Sequence, residues 1–393
     1  MHLAKRIVNV APSATLAISN LTKQMKAAGE DVIDLSIGQP DFPTPKPIAE
    51  AAKAAIDSGA ASYYLPTTGL PALREAISTR IAAQNHVHYD PSQIVVTTGA
   101  KFALYSLFQV LLDPGDDVLI PVPYWVSYVE MVRLASATPR LVNSSAQNFK
   151  VSVDDLEAAR TPHTRAIVLN SPQNPTGAMY TRTELTQIGN WALKHDILVV
   201  ADEIYRDLVY NGANFTSMVA IDPAISANTV LIGGVSKSYA MTGWRIGYAA
   251  GPAKLMKAMG TLLGHSTGNA TAAAQYAAIE AFGGSQAPVE TMRQAFEQRL
   301  NLIYPLIQQI PGFELLGKPS GAFYLFANVK RAAQLTNFGS VDDLLAAILK
   351  DAGVALVPGR AFGLPDYARL SYAASVTDLT EAAKRLSAYI HNN

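Results

Sequence analysis

Thr229-Val230-Leu231-Ile232-Gly233-Gly234-Val235-Ser236-Lys237-Ser238-Tyr239-Ala240-Met241-Thr242-Gly243-Trp244-Arg245-Ile246-Gly247 opens with a short apolar run, passes a glycine pair and sets a lysine beyond it. Thr229–Ile232 reads as a buried strand, and four other runs read the same way: Ile94–Thr98, Val118–Pro121, Ala166–Asn170 and Ile197–Ala201. Longer amphipathic stretches, Phe102–Leu112, Thr183–His195 and Pro252–Leu263, lie between or after them. This alternation predicts an α/β fold with a mainly parallel central sheet sandwiched by helices. Ligands of such sheets collect outside the carboxyl ends of the strands. Polar residues just past each run are therefore the first candidates for function.

The two ends of the chain read differently. Residues 1–45 look irregular, with Pro40, Pro43 and Pro45 close together. From about residue 286 a helical pattern runs to Gln309. An apolar run follows at Ala322–Ala327, then a helix near Val341–Ala352, a strand-like run at Val354–Pro358 and a terminal helix. The expected division is a large domain over 46–285 and a smaller α+β domain built from 286–393 with the arm 1–45. At 393 residues, two domains are expected rather than one.

Composition narrows the functional classes. Lys plus Arg and Asp plus Glu are equal at 31 each, so no basic face for nucleic acid or an anionic membrane is implied. There is no cysteine, which excludes disulfides, thiolate nucleophiles and Cys-ligated metals. The seven histidines show no metal-binding spacing. Asn9, Pro12, Ser13 and Thr15 interrupt the apolar N-terminal stretch, and no run reaches the ~20 residues of a membrane helix. A cytoplasmic protein is expected.

The lysine segment carries the chemistry. A lysine amine can form an imine with an aldehyde. Ser236 and Arg245 beside it suit a phosphate dianion, which Arg binds bidentately. Together they suit pyridoxal 5′-phosphate. Gly99-Ala100-Lys101 falls between a strand and a helix, where backbone N–H groups and the helix dipole make an anion seat. Asp202 ends the run Ile197–Ala201, with Tyr205 three residues on. A carboxylate there would pair with a protonated pyridine nitrogen, and Tyr205 would bond the ring's phenolic oxygen. Trp125, in Pro123–Tyr128, offers a flat face for the ring. Arg369 is embedded in an apolar run, where a buried guanidinium wants a carboxylate. Taken singly, Lys237 reads as a solvated loop charge, Asp202 as a helix cap, and Arg369 as half of an internal ion pair.

The 14-residue string Gly234–Gly247 resembles the lysine signature of the class I/II aminotransferases of fold type I, at every defining position. The likeness extends from Pro12-Ser13-Ala14-Thr15 to the terminal helix, through Asn170-Ser171-Pro172-Gln173-Asn174-Pro175-Thr176-Gly177, Asp113-Pro114-Gly115-Asp116 and Gly321-Ala322-Phe323-Tyr324. It is greatest to the bacterial aspartate and aspartate/prephenate branch. The resemblance implies that Lys237 holds the cofactor and shuttles the substrate Cα proton in a ping-pong cycle. It implies that Asn174 bonds the cofactor's phenolic oxygen, that Trp125 stacks on its ring, and that Arg369, Gly38 and Asn174 hold the substrate carboxylate. Asn170 is expected to make less contact. Tyr64 is implied to reach the phosphate at the neighbouring subunit, which makes the enzyme a homodimer with shared sites. For a second substrate carboxylate Lys101 is the candidate cation, with hydroxyls from Thr15 and Ser13. L-Aspartate and 2-oxoglutarate are the expected pair. Aromatic, prephenate or alanine transamination, a carbon–sulfur lyase or a decarboxylase are the alternatives, and a ligand-sensing regulator is the outlier.

Overall fold

The computed structural model describes residues 2–144 and 148–393. Its thirteen described strands, in chain order, are β1 (Ile33–Asp34), β2 (Ile94–Thr97), β3 (Asp117–Val122), β4 (Thr138–Asn143), β5 (Thr164–Asn170), β6 (Leu198–Asp202), β7 (Thr229–Gly234), β8 (Gly247–Ala250), β9 (Glu314–Leu315), β10 (Tyr324–Asn328), β11 (Val354–Ala355), β12 (Val357–Pro358) and β13 (Tyr367–Ser371). Seven form the central sheet in the order β2-β8-β7-β6-β5-β3-β4. Every pairing is parallel except the two made by β8.

The period-two alternation of a strand explains why these runs are apolar throughout. Val168, Val200, Val230 and Ile232 point to one face, where Leu104, Leu107 and Phe108 of the helix Ala100–Leu111 cover them. Ile167, Leu169, Val199 and Ala201 point to the other and meet Leu185, Ile188 and Trp191 of the helix Arg182–Lys194. Each fully buried Val, Leu or Ile contributes roughly 1.5–3 kcal/mol. A polar substitution in β6, at the sheet's centre, would lose that and bury an unpaired group as well.

A second, four-stranded sheet runs β12-β13-β10-β9, antiparallel throughout. Its core joins Leu325, Ala327 and Leu370 to Phe296, Leu300 and Ile303 of the helix Ala287–Gln308, to Leu379 and Leu386 of the terminal helix, and to Ile33 and Leu35. Ala368 and Leu370 face that core, so alternation turns Arg369 the other way. The expected single run Val354–Pro358 is divided: β11 pairs with β1, and β12 with β13. No helix among the described residues is long and apolar enough to cross a membrane.

Residues 1–45 are not irregular throughout. A 14-residue helix, Ala14–Ala27, begins at Ser13, whose hydroxyl accepts from Leu16 N. Its apolar residues gave no clear stripe because Leu16 and Leu21 remain exposed. Strands β4 and β8 were also unforeseen. β4 is an edge strand with Pro139 and mostly exposed side chains. β8 is only four residues long and directly follows the lysine segment.

Candidate active site

The antiparallel strand β8 assembles the site. Because β8 runs against both neighbours, its first residue, Gly247, is opposite the last residue of β2, Thr97, and the last of β7, Gly234. Three stretches thus converge on one end of the sheet: Gly99–Lys101 after β2, Ser236–Lys237 after β7, and Arg245 before β8. Gly99 has φ +81°, and a Cβ on it would stand 2.2 Å from Arg245 Nη2, so only glycine admits the guanidinium. Arg245 Nη1 donates to Thr242 O (2.9 Å). The Ser236 side chain is buried at the same place.

Lys237 Nζ donates to Gly38 O. Burial pushes its pKa down to about 7, and the nearby Arg369 and Arg245 cations push the same way. The amine is therefore substantially neutral near pH 7, as a nucleophile and a base require.

Asp202, at the end of β6, is buried. Its Oδ2 accepts from Tyr128 Oη (2.6 Å) and its Oδ1 from Ile204 N (3.2 Å). Burial raises its pKa, and the Tyr128 hydrogen bond opposes the rise. Asp202 enters no ion pair among the described residues. Asn170, at the end of β5, donates from Nδ2 to Asp202 O (2.9 Å) and accepts at Oδ1 from Asn174 N (2.8 Å). It holds the turn that presents Asn174.

Arg369 crosses from the small sheet. Its Nη1 donates to Asn174 Oδ1 (3.0 Å) and its Nη2 to Ser36 O (2.7 Å), while its buried Nε has no partner. It pairs with no carboxylate among the described residues. Burial lowers its pKa, yet an arginine stays charged. Tyr324 and Phe362 place ring centroids 4.4 and 5.0 Å from its Cζ. The Tyr205 and Tyr324 hydroxyls are 2.9 Å apart.

At the rim, the exposed Lys101 holds its Nζ 5.0 Å from the Trp125 ring centroid, and Trp125 meets Tyr128 edge to face at 5.3 Å. Thr15 and Ser13 stand at the start of the N-terminal helix with their hydroxyls 3.0 Å apart. Lys237, Asp202, Arg245, Arg369, Trp125 and the Ser13 and Thr15 hydroxyls open on one cleft of about 580 Å³. A larger hollow of about 850 Å³, near His86, Arg182 and Gly251, contains none of them; the shifted pKa values of Lys237, Asp202 and Arg369 mark the smaller cleft as the candidate site.

The sequence model of a family described as aminotransferase class I and II matches residues 30–386. The chain belongs to this family. It is 53% identical over 391 residues to an aspartate aminotransferase of Geobacillus stearothermophilus, covering 99% of both chains. It is 50% identical to an asparagine–oxo-acid transaminase of Streptococcus mutans, again over 99% of each. Among solved structures, an aspartate aminotransferase from Thermus thermophilus with maleate superposes with a TM-score of 0.93 at 37% identity, covering 99% of both chains.

Within this aminotransferase, the cleft is lined by Gly38, Ala100, Lys101, Trp125, Asn174, Asp202, Tyr205, Ser236, Lys237, Arg245, Arg369 and Thr15. Two predicted residues are outside it. Gly99 lies beneath Arg245, and Tyr64 is fully exposed on the surface. The sequence reading gave no role to Tyr128, Tyr324 or the Ser36 carbonyl. Tyr128 lies beside Trp125 in Pro123–Tyr128 and Tyr324 ends Gly321–Tyr324, but an aromatic residue in an apolar context reads first as core. A carbonyl leaves no mark on sequence at all.

Proposed function

We propose that this aminotransferase moves the amino group between L-aspartate, or a closely related amino acid, and 2-oxoglutarate, with pyridoxal 5′-phosphate as cofactor. One observation carries the reading. In the cleft that holds Lys237, a buried arginine and a buried carboxylate, Arg369 and Asp202, enter no ion pair among the described residues. Isolated buried charges are costly. Ligand groups of opposite sign, a carboxylate for Arg369 and a protonated ring nitrogen for Asp202, would satisfy both.

The residues present fit the cofactor. Ser236, Arg245 and the N–H groups at the start of the helix Ala100–Leu111 form an anion seat beside the Lys237 amine. When bound, the cofactor supplies an electrophilic aldehyde and a ring that accepts the electrons of the broken Cα–H bond. Lys237 Nζ ties it down and, once displaced by the incoming amine, takes up the substrate's Cα proton and gives it back. Asp202 would pair with the cofactor's ring nitrogen, Tyr205 and Asn174 would hold its phenolic oxygen, and Trp125 would offer the ring a flat face. Arg369, Asn174 and Gly38 orient the substrate's α-carboxylate. The two half-reactions share one site, so kinetics should be ping-pong.

Lys101 is read as the partner of a second carboxylate, supported by its place on the cleft rim without a paired acid. Lys101→Ser should lower kcat/KM for aspartate roughly 10-fold or more beyond any loss for alanine. Equal losses on the two donors would remove Lys101 from specificity. The relative named for asparagine favours that amide as a second donor. The deciding experiment mixes the cofactor-loaded protein with aspartate, asparagine, alanine and aromatic donors, and measures the oxo acid formed and its reversal by 2-oxoglutarate. Release of pyruvate, ammonia and a thiol from an S-substituted cysteine, without amino transfer, would indicate a carbon–sulfur lyase instead.

The chain is further read as a homodimer, supported by the full exposure of Tyr64 and 76% exposure of Tyr63. The division into 46–285 and 1–45 with 286–393 belongs to the same reading, supported by the separate sheets and the separate core around Phe296 and Leu325.

A further inference from the structure

We propose that Tyr324 is a positioning residue that orients two groups at once, the Tyr205 hydroxyl and the Arg369 guanidinium. The inference rests on the roles proposed above for those two residues. Tyr324 opens β10, and across the β10–β13 pair it lies diagonal to Arg369, which is opposite Phe326. It is 1% exposed. Its hydroxyl is 2.9 Å from that of Tyr205. Its ring centroid is 4.4 Å from Arg369 Cζ, within the range of a cation–π contact. Gly38 packs against the hydroxyl so closely that a Cβ there would stand 2.9 Å from it.

A pair of hydroxyls can donate in either direction. When Tyr205 gives its proton to a ligand oxygen, its own oxygen must accept, and Tyr324 is the donor at hand. The bonds then run one way, from Tyr324 to Tyr205 to the ligand, and each polarises the next. The ring acts separately. Asn174 and Ser36 hold the Nη atoms of Arg369, and the Tyr324 face holds the guanidinium's tilt.

The two halves of the side chain can be removed in turn. Tyr324→Phe keeps the ring and deletes the donor; Tyr324→Leu deletes both. Pyridoxal phosphate binding to each apoprotein is measured by fluorescence titration, and KM for aspartate on each loaded protein. Tyr324→Phe should raise the cofactor dissociation constant ~10-fold, with KM for aspartate within ~2-fold of wild type. Tyr324→Leu should raise KM a further ~10-fold. A purely structural role would move both constants together. Wild-type cofactor affinity in Tyr324→Phe, or the same KM in the two variants, would overturn the inference and leave the proposed function intact. A wild-type protein that binds no pyridoxal phosphate would overturn both. The Phe variant, which preserves the packed ring, keeps the test open should the Leu variant fail to fold.

Discussion

Lys237→Ala should lower kcat with aspartate by at least ~10³-fold, since a positioned acid–base group alone supplies 10²–10⁴ and the tethering amine goes with it. Loss of function should not bring loss of fold. Burial disfavours a charge on Lys237, and Arg369 and Arg245 add to it. The sign of the linkage follows. The folded-state pKa, about 7, lies below the ordinary lysine value of 10.5. The unfolded chain therefore binds more protons between pH 7 and 10.5, and the wild-type apoprotein gains stability as pH rises through that window. Below pH 7 the penalty of the buried cation is present in full. The Ala variant has no such penalty, so its Tm relative to wild type should be highest below pH 7 and fall as pH rises. Parallel melts of the two apoproteins measure this. A variant that keeps kcat within ~10-fold of wild type would sink the assignment of Lys237.

Asp202→Asn should lower kcat by ~10²–10³-fold, the cost of losing one preorganised electrostatic partner. The amide is nearly isosteric and can still accept from Tyr128, so the pocket's shape survives and the charge does not. Burial raises the Asp202 pKa more than Tyr128, Ile204 and Lys237 together lower it, so the Asn apoprotein should melt no lower than wild type. Solvent exchange of the aspartate Cα proton separates the causes: it should slow in step with kcat. If exchange kept its wild-type rate, Asp202 would have no part in breaking that bond.

Much of this was legible in the sequence because it rests on signals that sequence carries well. Buried strands announce themselves as apolar runs; Asn170 and Asp202 close two of these strands, and Lys237 comes three residues after a third. What escaped notice depends on contact between distant segments. β8 is too short to declare itself, yet it alone brings Arg245 to Gly99. Tyr128 and Tyr324 are chemically ambiguous until Asp202 and Arg369 are seen against them. Asn170 was expected to matter less than Asn174, and the fold makes it the hinge pin between Asn174 and the Asp202 main chain. The N-terminal helix hid because two of its leucines, Leu16 and Leu21, face outward and blur the apolar stripe.

The one reversed strand has a wider meaning. Thr97 and Gly234 are both in register with Gly247, so the spacing between the anion seat and the reactive amine is set by main-chain pairing among the three strands at one edge of the sheet. The fold therefore carries a gauge of fixed length, which a bound molecule must match before its side chain is read. The rim side chains of Lys101, Thr15 and Ser13 stand at helix ends and can be rewritten residue by residue without resetting that gauge. The site has an invariant half and an adaptable half, and the seam between them is a strand register.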